Sequence, residues 1–282
     1  MGIRDEVCLR FQVALAAVVF VSGCSPKVVV GTWTWACAGT TNAPDAVIDG
    51  ATDDAGGSTD GGAPIPLPWS SSFEDGFCGY QEAKGFCYTR GGSYEIVQSP
   101  VHSGRFAAAY AVDSSLQNGA QARCFREGAL PSEAYYGAWY FIPLLQMNTD
   151  NWNLFHFAGG AGPGPGLHGL WDVSLVNAPG GNLRLKVFDF FTSASLDGTG
   201  AAPPPVPIGS WFHIQFFMRR AADATGEITL YQDGAVLYHA VDIVTDDTPF
   251  GQWYVGNLAS EDALTPSNSI VYVDDVEISE TR

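Results

Sequence analysis

The stretch Glu227–Val241, EITLYQDGAVLYHAV, decides the fold class. Apolar and polar side chains alternate on both sides of Asp233-Gly234, a dipeptide that strongly favours a two-residue turn between antiparallel strands. The sequence therefore predicts a β-hairpin here. A second alternating segment, Trp211–Met218, precedes it and predicts another strand.

Short segments of the same kind recur along most of the chain. Ten of them lie between Gln121 and Ile278, separated by Gly, Pro, Asn and Asp, and no stretch of 12 or more residues keeps a helical period without Gly or Pro. Ten or more strands with short connections indicate a sandwich or a barrel. We therefore expect an all-β domain over residues 69–282, with two antiparallel sheets packed face to face.

The composition argues against several kinds of partner. The 282 residues include 30 acids and 13 bases, which gives a formal net charge of −17. Nucleic acids and anionic lipid surfaces attract proteins through cationic stripes, so neither is expected to bind. Apolar residues make up 46% of the chain, which is enough for a sizeable core. Apolar runs stay below the roughly 18 residues that a spanning helix needs.

The N-terminus has the pattern of a bacterial lipoprotein leader. Arg4 and Arg10 precede Phe11–Val21, an apolar run of 11 residues that is too short to span a bilayer. The run ends in Val21-Ser22-Gly23-Cys24, which resembles the lipobox, a motif whose cysteine is diacylated. The resemblance implies a signal peptide over residues 1–23 and a lipid anchor on Cys24. It also implies a place in a bacterial cell envelope, at the outer membrane or cell surface. Ordinary secretion with cleavage elsewhere is the alternative.

Residues 24–68 predict a disordered tether. Asn42–Pro68 consists mostly of Ala, Gly, Asp, Pro, Ser and Thr and has no basic residue. Such a segment cannot bury enough apolar area to offset the entropy of ordering it. Val28–Cys37 is more apolar, and it fits either a short strand docked on the domain or a membrane-proximal aromatic patch.

Several motifs occur in an order that resembles a known superfamily. They are Ser72–Gly76 (SFEDG), Val101–Ala107 (VHSGRFA), Gly209–Ile214 (GSWFHI), the hairpin and Val271–Ile278 (VYVDDVEI). In this order they resemble concanavalin A-like lectin/glucanase domains, in particular LamG-like domains and heparin-lyase-type polysaccharide lyases. The resemblance implies a curved jelly roll that binds glycans on its concave sheet. Galactose-binding-like modules share the first and last motifs and are the alternative fold.

Strand alternation selects candidate glycan-binding residues. Alternate side chains of a strand share a face, so Trp211, His213 and Gln215 face outward if their even-numbered neighbours form the core. The same rule pairs Trp152 with His156, Gln121 with Arg123, and Gln252 with Tyr254. Aromatic rings beside amides, His and Arg suit sugars, although each residue alone also fits an ordinary half-buried sheet position. The candidate binding residues are Trp152, Trp211, Gln215, Gln121 and Gln252, and glycan binding is the function that the sequence favours.

The first alternative is a polysaccharide lyase that cleaves uronate-containing glycans by β-elimination. Such an enzyme needs a base for the proton beside the uronate carboxyl and a group that neutralises that carboxylate. His156 or His213 fits the base, and Tyr254 fits the acid. Arg123 or Gln215 fits the neutralising group. Arg123, His156 and Tyr254 also follow the order of weakly similar alginate-lyase-like patterns.

Two observations keep other functions open. Residues 69–282 contain 23 acids and 10 bases, which would repel a polyanionic substrate unless a local basic cleft exists. The sequence also lacks the Glu-x-Asp-x-x-Glu carboxylates of similar glucanases, a Gly-x-Ser-x-Gly elbow and a His-Glu-x-x-His helix. A structural or adhesive surface protein, without catalysis, is therefore the second alternative. We expect a monomer.

Acidic residues near both ends of the domain suggest a structural calcium site. Glu74 and Asp75 would meet Asp274 and Asp275 if the terminal strands pair. Carboxylates suit calcium, although solvated acids at strand ends explain the pattern equally simply. No cofactor is otherwise required.

Four of the six cysteines remain once the leader and Cys24 are set aside, and they allow three full pairings in an oxidising compartment. Cys78 and Cys87 bracket a short loop, so we expect a Cys78–Cys87 disulfide. A Cys87–Cys124 bridge is the alternative.

Overall fold

The computed structural model describes the domain from Ile65 onward, over residues 65–81, 85–162, 166–196, 203–246 and 248–282. The predicted signal peptide, the lipidation site at Cys24 and nearly all of the predicted tether lie outside these ranges. Ile65 is buried and its N–H donates to the carbonyl of Ala129, so packed structure is present by this residue. In the described ranges, no helix has both the length and the apolarity needed to cross a membrane.

The described residues are almost entirely β-structure, with one short helix. In chain order the elements are β1 (Trp69–Ser71), α1 (Cys78–Gln81), β2 (Gly85–Arg90), β3 (Gly92–Val97), β4 (Ala107–Asp113), β5 (Ala120–Gly128), β6 (Glu133–Phe141), β7 (Met147–Asn148), β8 (Trp152–Gly160), β9 (His168–Ala178), β10 (Asn182–Asp189), β11 (Ala194–Leu196), β12 (Trp211–Arg219), β13 (Gly226–Gln232), β14 (Ala235–Ile243), β15 (Phe250–Ala259), β16 (Leu264–Thr265) and β17 (Asn268–Ser279).

Two large antiparallel sheets contain most of these strands. The seven-stranded sheet has the order β11-β10-β9-β8-β15-β5-β2. The eight-stranded sheet has the order β14-β13-β12-β6-β17-β4-β3, and β1 also pairs with β17. β7 and β16 form a separate two-stranded ribbon. This arrangement confirms the predicted all-β, two-sheet antiparallel sandwich.

The predicted hairpin joins β13 to β14. Gln232 and Ala235 are paired, so the turn contains only Asp233 and Gly234. Both residues have positive φ angles, 50° and 80°. A two-residue hairpin turn needs positive φ at both positions, and Asp and Gly adopt that conformation at low cost.

The core lies between the two sheets and is rich in aromatic rings. Tyr136 and Tyr140 on β6 meet Phe157 and Phe155 on β8, with ring centroids 4.9 and 5.6 Å apart. Phe216 on β12 approaches Phe157 to 5.0 Å. Burying one side chain of this size contributes roughly 2–3 kcal/mol. Because both inner faces are used in this way, the outer faces of the two sheets point in opposite directions.

Candidate functional site

A row of ionisable and aromatic side chains crosses the outer face of the seven-stranded sheet. Tyr254 on β15 lies directly opposite His156 on β8 and Phe125 on β5. Asp172 on β9 lies opposite His156. Phe155, Phe157, Trp253 and Val255, the chain neighbours of His156 and Tyr254, belong to the core. The row therefore faces away from the core, toward solvent.

His156 and Asp172 form a hydrogen-bonded pair through the imidazole Nδ1 and the carboxylate Oδ1. The His156 side chain is 19% exposed and that of Asp172 is 8% exposed. A carboxylate can only accept, so in the neutral imidazole Nδ1 carries the proton and Nε2 keeps its lone pair. His156 is thus oriented to accept a proton at Nε2.

Tyr254 lies beside this pair. Its ring centroid is 5.2 Å from that of His156. Burial raises the pKa of the Tyr254 hydroxyl, Tyr88 adds to this effect, and the opposing influence of Arg123 is smaller. The phenol therefore keeps its proton at neutral pH and is available as a donor.

Arg123 is a nearly buried guanidinium beside Tyr254. It is 7% exposed, and its Cζ lies 4.9 Å from the Tyr254 ring centroid. Its Nη2 donates to Oε1 of Gln121 at 2.5 Å, while its Nε has no hydrogen-bond partner. Within the described ranges Arg123 forms no ion pair. Unused guanidinium donors with no acidic partner are well suited to an incoming carboxylate.

Gly256, opposite Arg123 on β15, makes room for that side chain. Its φ is 142°, a conformation that favours glycine. A Cβ at this position would lie 2.4 Å from the carbonyl oxygen of Ala122 and 3.2 Å from Cγ of Arg123. A larger residue would therefore displace the arginine.

Aromatic side chains flank the row on both sides. Phe190 is 39% exposed and lies edge-on to His156, with ring centroids 5.9 Å apart. On the other side, Phe125 and Tyr88 approach the Tyr254 ring to 4.8 and 6.4 Å. Aromatic rings around polar and ionisable groups match the mixed apolar and hydroxyl surface of a sugar chain.

The two sheets carry opposite charge. The outer face of the seven-stranded sheet carries four cations and two carboxylates, which are Arg90, Arg123, Arg184, Lys186, Glu127 and Asp172. The strands of the eight-stranded sheet carry one basic residue, Arg219, and eight acidic residues. The local basic surface that a polyanionic ligand requires is thus present on the face that holds His156 and Tyr254.

The predicted residues Trp211, His213 and Gln215 lie elsewhere. They are on β12 of the eight-stranded sheet, and they face outward while Phe212, Ile214, Phe216 and Met218 enter the core, as strand alternation predicts. His213 stacks on Trp139 with ring centroids 5.0 Å apart, and burial lowers the pKa of His213. Because the two sheets face opposite ways, these three residues are not part of the site around His156. The expectation that all candidate residues lie on one concave sheet is therefore corrected.

The prediction that Trp152 shares a strand face with His156 is also wrong. In β8 the pairing with β9 shifts between Asn153 and Phe155, so one extra residue enters the strand. This bulge places Trp152 on the core side, fully buried, where its Nε1 donates to Oδ1 of Asn257 at 2.9 Å. Trp152 therefore does not share a face with His156. Gln121, Arg123, Gln252 and Tyr254 do lie on the outer face with His156.

The carboxylates predicted to bind calcium accept hydrogen bonds from protein donors. The terminal strands pair as expected, and Glu74 accepts the N–H groups of Arg105 and Phe106 at 2.6 and 2.9 Å. Asp274 accepts the N–H groups of His102 and Ser103 at 2.9 and 3.2 Å. No cluster of three or more His, Cys, Asp or Glu side chains able to hold a metal occurs in the described part of the chain. Calcium at Glu74, Asp75, Asp274 and Asp275 stays a prediction.

A disulfide joins Cys87 to Cys124, so the expected Cys78–Cys87 bridge is wrong. The two cysteines are directly opposite each other on β2 and β5, with Cα atoms 4.0 Å apart. Closeness in sequence favours the Cys78–Cys87 pair. Strand pairing across 37 residues determines the partner instead.

Three residues near His156 and Tyr254 are not among those that the sequence predicts for the site: Asp172, Glu127 and Tyr88. Asp172 follows Trp171 inside a long apolar strand, and a carboxylate is unusual in such a position. That signal points to a functional or paired acid. Glu127 and Tyr88 carry no comparable local signal, because their roles depend on which strands lie beside β15 and β5.

No protein-family model matches this sequence, and a search of curated proteins finds no match. Solved structures do share the fold. An endo-β-1,4-glucuronan lyase from the fungus Trichoderma reesei superposes with a TM-score of 0.51 at 20% identity, over 69% of this chain and 90% of the lyase. A cellulose induced protein, Cip1, gives a TM-score of 0.52 at 13% identity, over 76% of this chain and 97% of that protein.

An alginate lyase variant solved with an alginate trisaccharide has a TM-score of 0.54 at 10% identity, over 77% of this chain and all of the lyase. At these identities the likeness establishes the jelly-roll fold and nothing finer.

Proposed function

We propose that this protein is a polysaccharide lyase that cleaves uronate-containing glycans by β-elimination. The observation that carries the proposal is the meeting of three groups on one outward sheet face. Nε2 of His156 keeps its lone pair, Tyr254 is protonated, and Nε of Arg123 has no hydrogen-bond partner among the described residues. These are the groups that the reaction needs: a base, an acid and a carboxylate-neutralising cation.

The uronate carboxylate binds Arg123 in this mechanism. The proton on the carbon next to a carboxylate is weakly acidic because the charge left behind spreads onto the carboxylate oxygens. A guanidinium placed at those oxygens stabilises this developing charge. Arg123 is suited to the task because its donors are not committed to an acidic side chain within the described ranges.

Nε2 of His156 accepts that proton, and the electron pair of the broken C–H bond forms a double bond to the neighbouring carbon. The bond from that carbon to the glycosidic oxygen then breaks, and the oxygen takes the proton of Tyr254. Asp172 stabilises the imidazolium that forms. Proton exchange with solvent afterwards returns the proton of His156 to water and restores the hydroxyl of Tyr254, so the enzyme is regenerated.

The charge distribution supports an anionic substrate. The chain as a whole repels polyanions, but the face with the proposed site carries more cations than carboxylates. The structural neighbours agree with this assignment, since two of them are described as lyases of glucuronan and of alginate, both polymers of uronate.

The test is incubation of the full chain with a panel of polyuronates that includes alginate and glucuronan, together with neutral glucans as controls. The new double bond is conjugated to the carboxylate, so ultraviolet absorbance reports each cleavage. We expect absorbance to rise with at least one polyuronate and not with the glucans. A flat trace with every polyuronate, under conditions in which the protein is folded and binds the polymer, would contradict the lyase and leave glycan binding as the function.

A further inference from the structure

A chain of three side chains runs along the outer face behind Tyr254. The Tyr254 hydroxyl donates to Oε1 of Gln252, two residues earlier on β15. Nε2 of Gln252 donates in turn to Oε2 of Glu127 at 2.8 Å. Glu127 lies directly opposite Gln252 on β5. Gln252 and Glu127 are 5% and 6% exposed, so both are shielded from solvent.

The chemistry of these groups fixes the direction of every hydrogen bond in the chain. A carboxylate has no proton to give, so Glu127 must face the amide NH₂ of Gln252. The amide oxygen of Gln252 then faces Tyr254. An amide oxygen can only accept, so the phenol must donate to it. Glu127 thereby determines, through Gln252, where the Tyr254 proton lies before substrate binds.

We propose that Glu127 and Gln252 are positioning residues that hold Tyr254 in its protonated, donating form. The proposal rests on the proposed lyase function, in which Tyr254 is the general acid. On substrate binding, the hydroxyl turns from Gln252 to the glycosidic oxygen, so one hydrogen bond replaces another. The O–H bond of Tyr254 breaks as the leaving oxygen gains the proton, and solvent later returns a proton to the phenolate.

The charges around Tyr254 also favour its protonated form. The ionisable groups around Tyr254 are Tyr88, Arg123, Glu127 and, across the strand pair, His156. Arg123 favours the phenolate, whereas Glu127 and Tyr88 oppose it. A carboxylate at position 127 therefore offsets the cation that binds substrate, and it keeps the acid protonated beside that cation.

The test variant is Glu127→Gln, which keeps the shape of the side chain and removes its charge and its acceptor-only character. The amide of residue 252 is then free to present either end to Tyr254. We expect kcat to fall about tenfold while KM stays within about twofold, because Glu127 is nearly buried and acts on the reaction through Gln252 and Tyr254. The alkaline limb of the kcat profile should also move to lower pH. Glu277→Gln on the opposite sheet is the matched control and should leave both constants unchanged.

A second readout does not depend on catalysis. The Tyr254 hydroxyl proton is partly buried and hydrogen-bonded, so it should give a low-field NMR resonance that is missing in Tyr254→Phe. This resonance should be lost or shifted in Glu127→Gln and in Gln252→Met, with thermal unfolding showing that each variant is folded. If wild type cleaves no polyuronate but the resonance responds in this way, the proposed function fails and the positioning role stands. A folded Glu127→Gln variant with an unchanged resonance and an unchanged pH profile would overturn the proposal.

Discussion

In the proposed mechanism Arg123 both binds the substrate carboxylate and stabilises the charge that develops on it. Its guanidinium is held by Gln121 on one side and by the Tyr254 ring on the other, and glycine at position 256 leaves the space it occupies. Its Nε remains without a partner although the residue is nearly buried. A buried donor without an acceptor is costly, so in the proposed mechanism a substrate carboxylate at Arg123 removes that cost.

Replacement of Arg123 by Ala should therefore lower kcat/KM on a cleaved polyuronate by roughly a hundredfold or more, the effect of losing a group that stabilises transition-state charge. Arg123→Lys should recover only part of the rate, because an ammonium lacks the planar fork. Initial rates of product absorbance measure both. Arg105→Ala is the control, since Arg105 is 79% exposed and lies near the eight-stranded sheet. If Arg123→Ala and Arg105→Ala lowered kcat/KM equally, Arg123 would not have the proposed role in catalysis.

Asp274 should make the stability of the protein depend on pH. Burial raises its pKa to about 6, and the N–H groups it accepts only partly oppose this. An acid with a raised pKa binds its proton more tightly in the folded protein than in the unfolded chain. Its contribution to stability therefore grows as pH falls through about 6 and is lost as pH rises through that value.

The free energy of unfolding of wild type, relative to Asp274→Asn, should thus increase when the pH is lowered from neutral toward the usual pKa of 3.8. Urea unfolding of both proteins across this range measures it. If the difference in the free energy of unfolding stayed constant, or became smaller at low pH, the pKa of Asp274 would not be raised in the folded protein.

Strands and turns could be predicted from the sequence where their formation depends on neighbouring residues. Alternation predicted the strands, and Asp233-Gly234 predicted the hairpin because a two-residue turn needs residues that tolerate positive φ. The bulge in β8 was not predictable in this way. One extra residue between Asn153 and Phe155 reverses the faces of a strand without changing its composition, and it moved Trp152 from the predicted site into the core.

The Cys87–Cys124 disulfide also depends on which strands pair in the sheet. It ties the edge strand β2 to β5, and so holds Tyr88 opposite Arg123. Replacing both cysteines by Ala should lower the free energy of unfolding by about 4 kcal/mol, the entropy of closing a loop of this length in the unfolded chain. Urea unfolding measures the loss. A change below about 1 kcal/mol would mean that the bridge adds little beyond the strand pairing.

For the whole molecule, the two outer faces have different chemistry. The seven-stranded sheet presents cations around His156 and Tyr254, whereas the eight-stranded sheet is strongly acidic and carries the stack of His102, Trp139 and His213. A polyanion is therefore attracted to one face and repelled by the other. The net charge of the chain conceals this asymmetry.

The same asymmetry explains why the candidate site was only partly predictable. Sequence alternation correctly placed His156 and His213 on outward faces, but nothing local indicates to which sheet a strand belongs. Sheet membership comes from pairing between distant segments, such as β8 with β15 and β12 with β6. The order Arg123, His156, Tyr254 was the more informative signal, because the fold brings those three strands side by side.

The proposed role of His156 is tested by comparing His156→Ala with His213→Ala on a polyuronate that wild type cleaves. The two substitutions are chemically identical and lie on opposite sheets. We predict that His156→Ala lowers the initial rate of double-bond formation by about a hundredfold or more, the usual effect of removing a general base, while His213→Ala keeps the wild-type rate within about twofold. The reverse pattern, or equal losses in two folded variants, would contradict it.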